Sequence, residues 1–257
     1  MITSAVRWKF FEHRILKLGG LDHSLPLDMV SKKYRKVKYK EYLDLPRKIA
    51  DKENCRFSEE TKSSSLFEVF VERIYDIEGY TPRNKDVVID VGANVGDTTI
   101  WWAMKFGAQV IAFEPMEETF NLLRRNVALN NGDISISKIA IGDGNEISGS
   151  EEGTMLVPGK DHKLKTVRLD DLKLERVDLL KIDVEGFELS VLRGAINTLA
   201  THKPRVIIET HSKELAKSCL GILTGIGYRI DLQRKMKPSD VEGLNEVKMH
   251  FCSVPKV

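Results

Sequence analysis

Five residues, Val87-Val88-Ile89-Asp90-Val91, form an almost unbroken apolar, β-branched run that stops at a glycine, Gly92. A strand with one wet face alternates apolar and polar side chains, whereas a continuous run of this kind is buried on both faces. Helices packed on both sides of a parallel sheet supply that environment. The flanking chain agrees. A helix is expected over 97–106, opened by Asp97 and stopped by Gly107. Gln109–Phe113 reads as a second strand and 117–130 as a helix with Phe120, Leu123 and Val127 on one face. Further strands are expected over Ile134–Ile141, Val177–Val184 and Arg205–Glu209, the last after Pro204, with helices over 187–200 and 212–224. Two late strands fall near 228–232 and 247–254, separated by a polar loop with Pro238 and Gly243. Residues 66–76 have helical apolar spacing, and the glycine-bearing stretch 144–166 suits a hairpin or mobile loop. This strand–helix alternation predicts an α/β fold with a doubly wound, mostly parallel sheet.

Length and composition fit one such domain with an appendage. The 257 residues are 42% hydrophobic and 30% charged, the balance of a soluble globular chain. No stretch reaches the ~18 uninterrupted apolar residues of a membrane span. Three widely spaced cysteines, Cys55, Cys219 and Cys252, argue against a disulfide scaffold or a paired-thiolate zinc site. The first residues lack the apolar core and cleavage site of a signal peptide, so a cytoplasmic location is expected. Charge is uneven: residues 1–50 carry 12 Lys and Arg against 5 Asp and Glu, a net of +7. The densest basic run is Lys32-Lys33-Tyr34-Arg35-Lys36-Val37-Lys38-Tyr39-Lys40. It suits a solvated face, or a surface for nucleic acid, anionic lipid or acidic glycan. Before it, Trp8–Leu18 reads as a short helix stopped by Gly19-Gly20. The expected division is a basic, mainly helical extension over 1–62 and a catalytic domain over 63–257.

The turn after the first strand, Gly92-Ala93-Asn94-Val95-Gly96-Asp97, lets a ligand approach the backbone. It is not a dinucleotide fingerprint, because its third and sixth positions hold Asn94 and Asp97 instead of glycine. No Gly-Lys-Ser/Thr follows, so it is not a phosphate-cradling P-loop either. Asp97 at the helix start would repel a pyrophosphate. A cofactor that is cationic or neutral near the turn fits better. S-adenosylmethionine, with its sulfonium and ammonium, is the candidate, and Asp90 could face its positive end. Glu114-Pro115 ends the second strand, with Glu114 lying 22 residues after Gly92. A carboxylate at that place can accept from both hydroxyls of a ribose. Ile141-Gly142-Asp143 would lie near an adenine edge.

The fourth strand ends in Asp183-Val184-Glu185 and the fifth in Glu209-Thr210-His211. Carboxylates and a histidine at one sheet edge point to proton transfer from an acceptor hydroxyl. Asp183 is the first candidate base and His211 the second, with Glu185 beside them or capping a helix. A divalent ion held by Asp183 with Asp170 or Asp171 is the alternative.

The strings Val-Ile-Asp-Val-Gly-Ala-Asn-Val-Gly-Asp (88–97), Phe-Glu-Pro (113–115), Asn-Val-Ala-Leu-Asn (126–130), Leu-Asp-Asp-Leu (169–172), Lys-Ile-Asp-Val-Glu-Gly-Phe-Glu (181–188) and Ile-Glu-Thr-His (208–211) stand in one order. Together they resemble the class I, Rossmann-like S-adenosylmethionine methyltransferases, and the FkbM type most closely. The resemblance covers about half the chain. It implies a seven-stranded sheet whose last strand is antiparallel, and O-methylation of glycan, glycolipid or metabolite hydroxyls. Carried over, Asp90, Gly92, Asn94, Gly96 and Glu114 would bind the cofactor, and Asp183 and Glu185 would line the reaction centre. Two other readings remain at this point. One is an RNA methyltransferase using the basic segment. The other is a non-catalytic module that only binds the cofactor.

Overall fold

The structure, a computed structural model, describes residues 44–152, 155–236 and 247–255. The helix expected over 8–18, the basic run 32–40 and the loop with Pro238 and Gly243 lie outside the described residues. The central sheet has seven strands, numbered in chain order with those of a smaller sheet. They are β1 (Val87–Val91), β2 (Gln109–Phe113), β3 (Ile134–Ser137), β8 (Leu179–Ile182), β9 (Arg205–Thr210), β10 (Arg229–Lys235) and β11 (Lys248–Ser253). Their order is β10-β11-β9-β8-β1-β2-β3. All neighbours from β9 to β3 are parallel, and β11 runs antiparallel to both β9 and β10. The expected sheet, with its last strand reversed, is the one observed.

Burial follows the two-residue period of the strands. Val88, Val110, Leu179 and Ile207 join the core on one face, while Ile89, Val91, Leu180, Ile182, Val206 and Ile208 join the core on the other. Helices α3 (Asp97–Phe106), α4 (Glu117–Ala128), α5 (Glu188–Arg193), α6 (Ile196–His202) and α7 (Lys213–Gly225) cover the two faces. The described residues 44–62 pack into the first of these cores. Ala50 of helix α1 (Leu45–Lys52), Cys55 and Phe57 belong to it. Buried Asn126 of α4 ties this segment down, accepting from Ser58 N at 2.9 Å and Thr61 Oγ1 at 3.0 Å. All three cysteines are buried free thiols. No helix among the described residues is long and apolar enough to cross a membrane.

Several boundaries differ from the sequence expectations, each for a tertiary reason. The helix expected over 66–76 shrinks to α2 (Phe67–Phe70), because Arg73 turns left-handed at φ 53° and pairs with Glu53. The helix over 187–200 divides into α5 and α6 at Gly194, whose missing Cβ would lie 1.8 Å from the Gly142 carbonyl oxygen. Asp170 then caps α6, accepting from Thr198 N at 2.8 Å and Asn197 N at 3.2 Å. The strand over 134–141 splits after Ser137, and β4 (Ala140–Ile141) pairs with β7 (His162–Val167) instead. Of the two readings of 144–166, the hairpin is the one observed, β5 (Glu146–Glu152) pairing antiparallel with β6 (Met155–Pro158). These strands join β4 and β7 in a second sheet, ordered β4-β7-β5-β6. At the start of α3 the capping residue is Gly96, at φ 87°, not Asp97.

Gly92 marks where the two central loops meet. It sits at φ 83°, and a Cβ there would fall 1.8 Å from the Asp183 carbonyl oxygen. Left-handed strain and a backbone clash together predict that Gly92→Ala destabilises by about 3 kcal/mol or more. Thermal unfolding followed by circular dichroism should show a midpoint lower by roughly 6–12 °C. Gly221, inside α7 with nothing within 4 Å of its would-be Cβ, is the contrast. Gly221→Ala should raise stability by about 0.5–1 kcal/mol.

Candidate active site

The loops after β1, β2 and β8 open together at the carboxyl edge of the sheet, where open α/β sheets bind ligands. They border a cleft enclosing about 640 Å³ of empty space, its open mouth included. Asn94, Phe113, Glu114, Ile141, Asp183 and Glu185 are among its walls.

On one side stands Glu114, buried at the end of β2. Its Oε2 accepts from Asn94 N at 3.0 Å and its Oε1 from Met116 N at 3.0 Å. Burial pushes its carboxyl up to about 7, against the pull of these two amides. Asn94 is left-handed at φ 48°, and its Oδ1 is buried with no hydrogen-bond partner.

On the other side stands Asp183, one residue beyond β8. Its carboxyl is raised by burial, with Lys181 opposing the shift. The Tyr75 hydroxyl lies 3.5 Å from Asp183 Oδ2, and Lys181 Nζ 3.8 Å from the same oxygen. Lys181 is itself buried and belongs chiefly to Asp90, its partner in the β1–β8 register. Nζ donates to Asp90 Oδ1 at 3.0 Å and to the Gly92 carbonyl at 3.3 Å. Thr99 Oγ1 donates to Asp90 Oδ2 at 2.6 Å. Burial opposes the charge on Lys181, but the Asp90, Asp183 and Asp97 carboxylates outweigh it and hold the ammonium on.

Behind Asp183 lies a histidine among carboxylates. His211 Nδ1 donates to Glu188 Oε1 at 2.7 Å. Its Nε2 lies 3.1 Å from Glu185 Oε2 and 3.6 Å from Glu209 Oε1. Burial disfavours the imidazolium, yet the flanking Glu185 and Glu188 carboxylates raise His211 to about 11. A histidine so charged is no proton acceptor at neutral pH, which leaves Asp183 as the base candidate at this edge. Glu209 is pushed well up by burial and by the charge of Asp183.

Residues 90–230, more than half of the chain, match the methyltransferase FkbM domain. The chain belongs to the FkbM methyltransferase family. It is 32% identical over 145 residues to the hexuronic acid methyltransferase AglP of Haloferax volcanii, a match covering 49% of this chain and 56% of that one. It is 27% identical over 208 residues to the 31-O-demethyl-FK506 methyltransferase FkbM of Streptomyces tacrolimicus, covering 63% of this chain and 80% of the relative. The chain thus spans little more than half the length of AglP. A fibrillarin pre-rRNA processing protein of Methanococcus jannaschii superposes with a TM-score of 0.50 at 15% identity, over 73% of this chain and 74% of that one. That likeness is one of fold alone.

In this FkbM-family chain the cleft gathers Gly92, Asn94, Glu114, Pro115, Ile141, Asp183 and Glu185. Ala93, Gly96, Asp97, Gly142 and Asp143 stand off its lining. Gly96 and Gly142 are packing positions, where a Cβ would meet Leu123 at 2.6 Å and Thr166 at 2.7 Å respectively. Asp90, expected to face a cofactor, is turned inward to Lys181 and Thr99. Asp97 is raised to about 7 by burial and holds the Thr98 amide at 2.7 Å. Of the alternative ion ligands for Asp183, Asp170 is engaged at the start of α6 with Thr198 and Asn197. Sequence reasoning missed Lys181, Tyr75 and Glu188. Only Lys181 left a signal, a charge inside the otherwise apolar run Leu179–Ile182.

Proposed function

We propose that this methyltransferase moves a methyl group from S-adenosylmethionine to a hydroxyl of a sugar or small metabolite. The observation that carries the reading is the cleft itself, lined by Glu114 after β2 and Asp183 after β8, the two strands that flank β1. Each Glu114 oxygen accepts a single amide and keeps acceptor capacity for the paired hydroxyls of a ribose. The buried, unpartnered Asn94 Oδ1 in the cleft wall offers one more acceptor for a ligand donor. The donor set therefore fits a nucleoside-bearing cofactor. S-adenosylmethionine supplies a methyl already activated by its sulfonium. What remains for the protein is to position an acceptor oxygen and remove its proton. Holding the reactants in line can lower the barrier by about 7–11 kcal/mol.

Asp183 is the group that receives the proton. It lines the cleft at the end of β8, and the Tyr75 hydroxyl and the Lys181 charge hold its head group in place. The relatives named for a hexuronic acid and for a hydroxyl of FK506 support a sugar or metabolite acceptor.

Methyl-labelled cofactor tests the reading. The protein is incubated with it and an extract of the cells that make the protein, with and without ribonuclease. Label is expected in glycans, lipids or small metabolites and should survive ribonuclease. Label lost to ribonuclease would move the acceptor to RNA. Cofactor binding without any transfer would leave only a binding module.

A further inference from the structure

We infer that Asp183, Glu209 and His211 form a binding site for one divalent cation of the Mn²⁺ type at the acceptor side of the cleft. The three side chains come from the ends of β8 and β9, and one ligand atom from each lies within 4.8 Å of the others. A nitrogen and two carboxylate oxygens are the donors that borderline-hard divalent ions take.

Two further observations point to a cation rather than to a packed polar cluster. His211 Nε2 is shut off from solvent and has no aligned hydrogen-bond partner. Glu188 has no exposed surface, and its Oε2 has no partner either, although its other oxygen touches the imidazole. The ring is also set up as a ligand. Its Nδ1 is committed to Glu188 Oε1 at 2.7 Å, which fixes the tautomer and turns Nε2 towards the carboxylates. Metal-binding histidines are oriented this way by a carboxylate behind the ring. Charge agrees. Asp183, Glu185 and Glu209 converge on Nε2, where positive charge must sit. Three protein ligands leave further coordination positions open.

What the cation does there rests on the methyl-transfer reading; that it binds does not. Next to the cleft it would hold the acceptor hydroxyl and acidify it. The hydroxyl proton would pass to the Asp183 carboxylate.

The test is a titration of the full chain with Mn²⁺, with free Mn²⁺ read by electron paramagnetic resonance. One equivalent should bind. Glu209→Gln and His211→Asn should each weaken binding by at least about 10–100-fold. Glu188→Gln, a positioning change behind the ring, should also weaken it by about 10–100-fold. Asp51→Asn, on the exposed side of α1, should leave it unchanged. Circular dichroism establishes that each variant is folded. A wild-type chain that takes up no stoichiometric Mn²⁺ overturns the site. So does uptake that the Glu209 and His211 variants do not weaken. Calorimetry with S-adenosylmethionine on the same samples separates the two readings. Cofactor binding without Mn²⁺ uptake sinks the metal site alone. Mn²⁺ uptake without cofactor binding sinks the methyl-transfer reading and leaves the metal site standing.

Discussion

Asp183→Asn is expected to lower kcat by about 10²–10⁴, the usual contribution of a positioned base. The affinity for S-adenosylmethionine should stay close to that of the wild type, because Glu114 and Asn94, the proposed cofactor contacts, follow β2 and β1 rather than β8. The substitution keeps the shape of the side chain and removes its charge. Lys181 stays neutralised, since its shorter contact is with Asp90 at 3.0 Å rather than with Asp183 at 3.8 Å. Single-turnover kinetics with labelled cofactor, beside calorimetry, reads the two quantities separately. Near-normal turnover in this variant would remove Asp183 from the reaction centre. A large loss of cofactor affinity would reassign it to the cofactor wall.

Glu114→Ala should produce the opposite split, with a loss of at least about 100-fold in cofactor affinity. Two hydrogen bonds to a charged acceptor contribute about 1.5–3 kcal/mol each, and each 1.4 kcal/mol is a factor of ten. The same residue sets a pH dependence. Burial raises its carboxyl to about 7, so in the free protein it is largely neutral at pH 6 and largely ionised at pH 8. Ribose hydroxyls need the ionised acceptor. Affinity should therefore rise by about tenfold from pH 6 to pH 8, the ratio of ionised fractions for such a group. Asp97 titrates in the same range but stands off the cleft, so Glu114→Gln should abolish the slope. A slope that survives in Glu114→Gln would assign it to Asp97 or another group.

The residues that made the fold legible act over short distances. The run from Val87 to Val91 reports burial on both faces. Gly92 and Gly107 report a turn and a helix end, and the alternation of such segments reports a parallel sheet. Glu114 and Asp183 could be picked out because each ends a strand, and strand ends face the ligand edge in this architecture. Misread boundaries have non-local causes. Nothing near Gly194 says that the Gly142 backbone passes against it, and nothing near Arg73 says that Glu53 waits for it. Glycines and polar residues over 144–166 read as a hairpin or a loop; the hairpin formed, but the second sheet it joins was not legible because its strand β4 is two residues long.

The site shows the same division more sharply. Sequence alone determined that acidic side chains gather at the carboxyl edge of a parallel sheet beside a glycine turn, because strand period and turn chemistry are local properties. Tertiary structure decided which partners each one meets. Asp90 looked like a ligand for a positive cofactor. Instead it is neutralised by Lys181, 91 residues away, because the β1–β8 register sets the two side by side on a buried face. His211 looked like a base, and it meets Glu185 of the loop after β8 and Glu188 at the start of α5, whose carboxylates push its pKa up. Such charge states depend on which distant groups share a low-dielectric space, and only the packed chain specifies that.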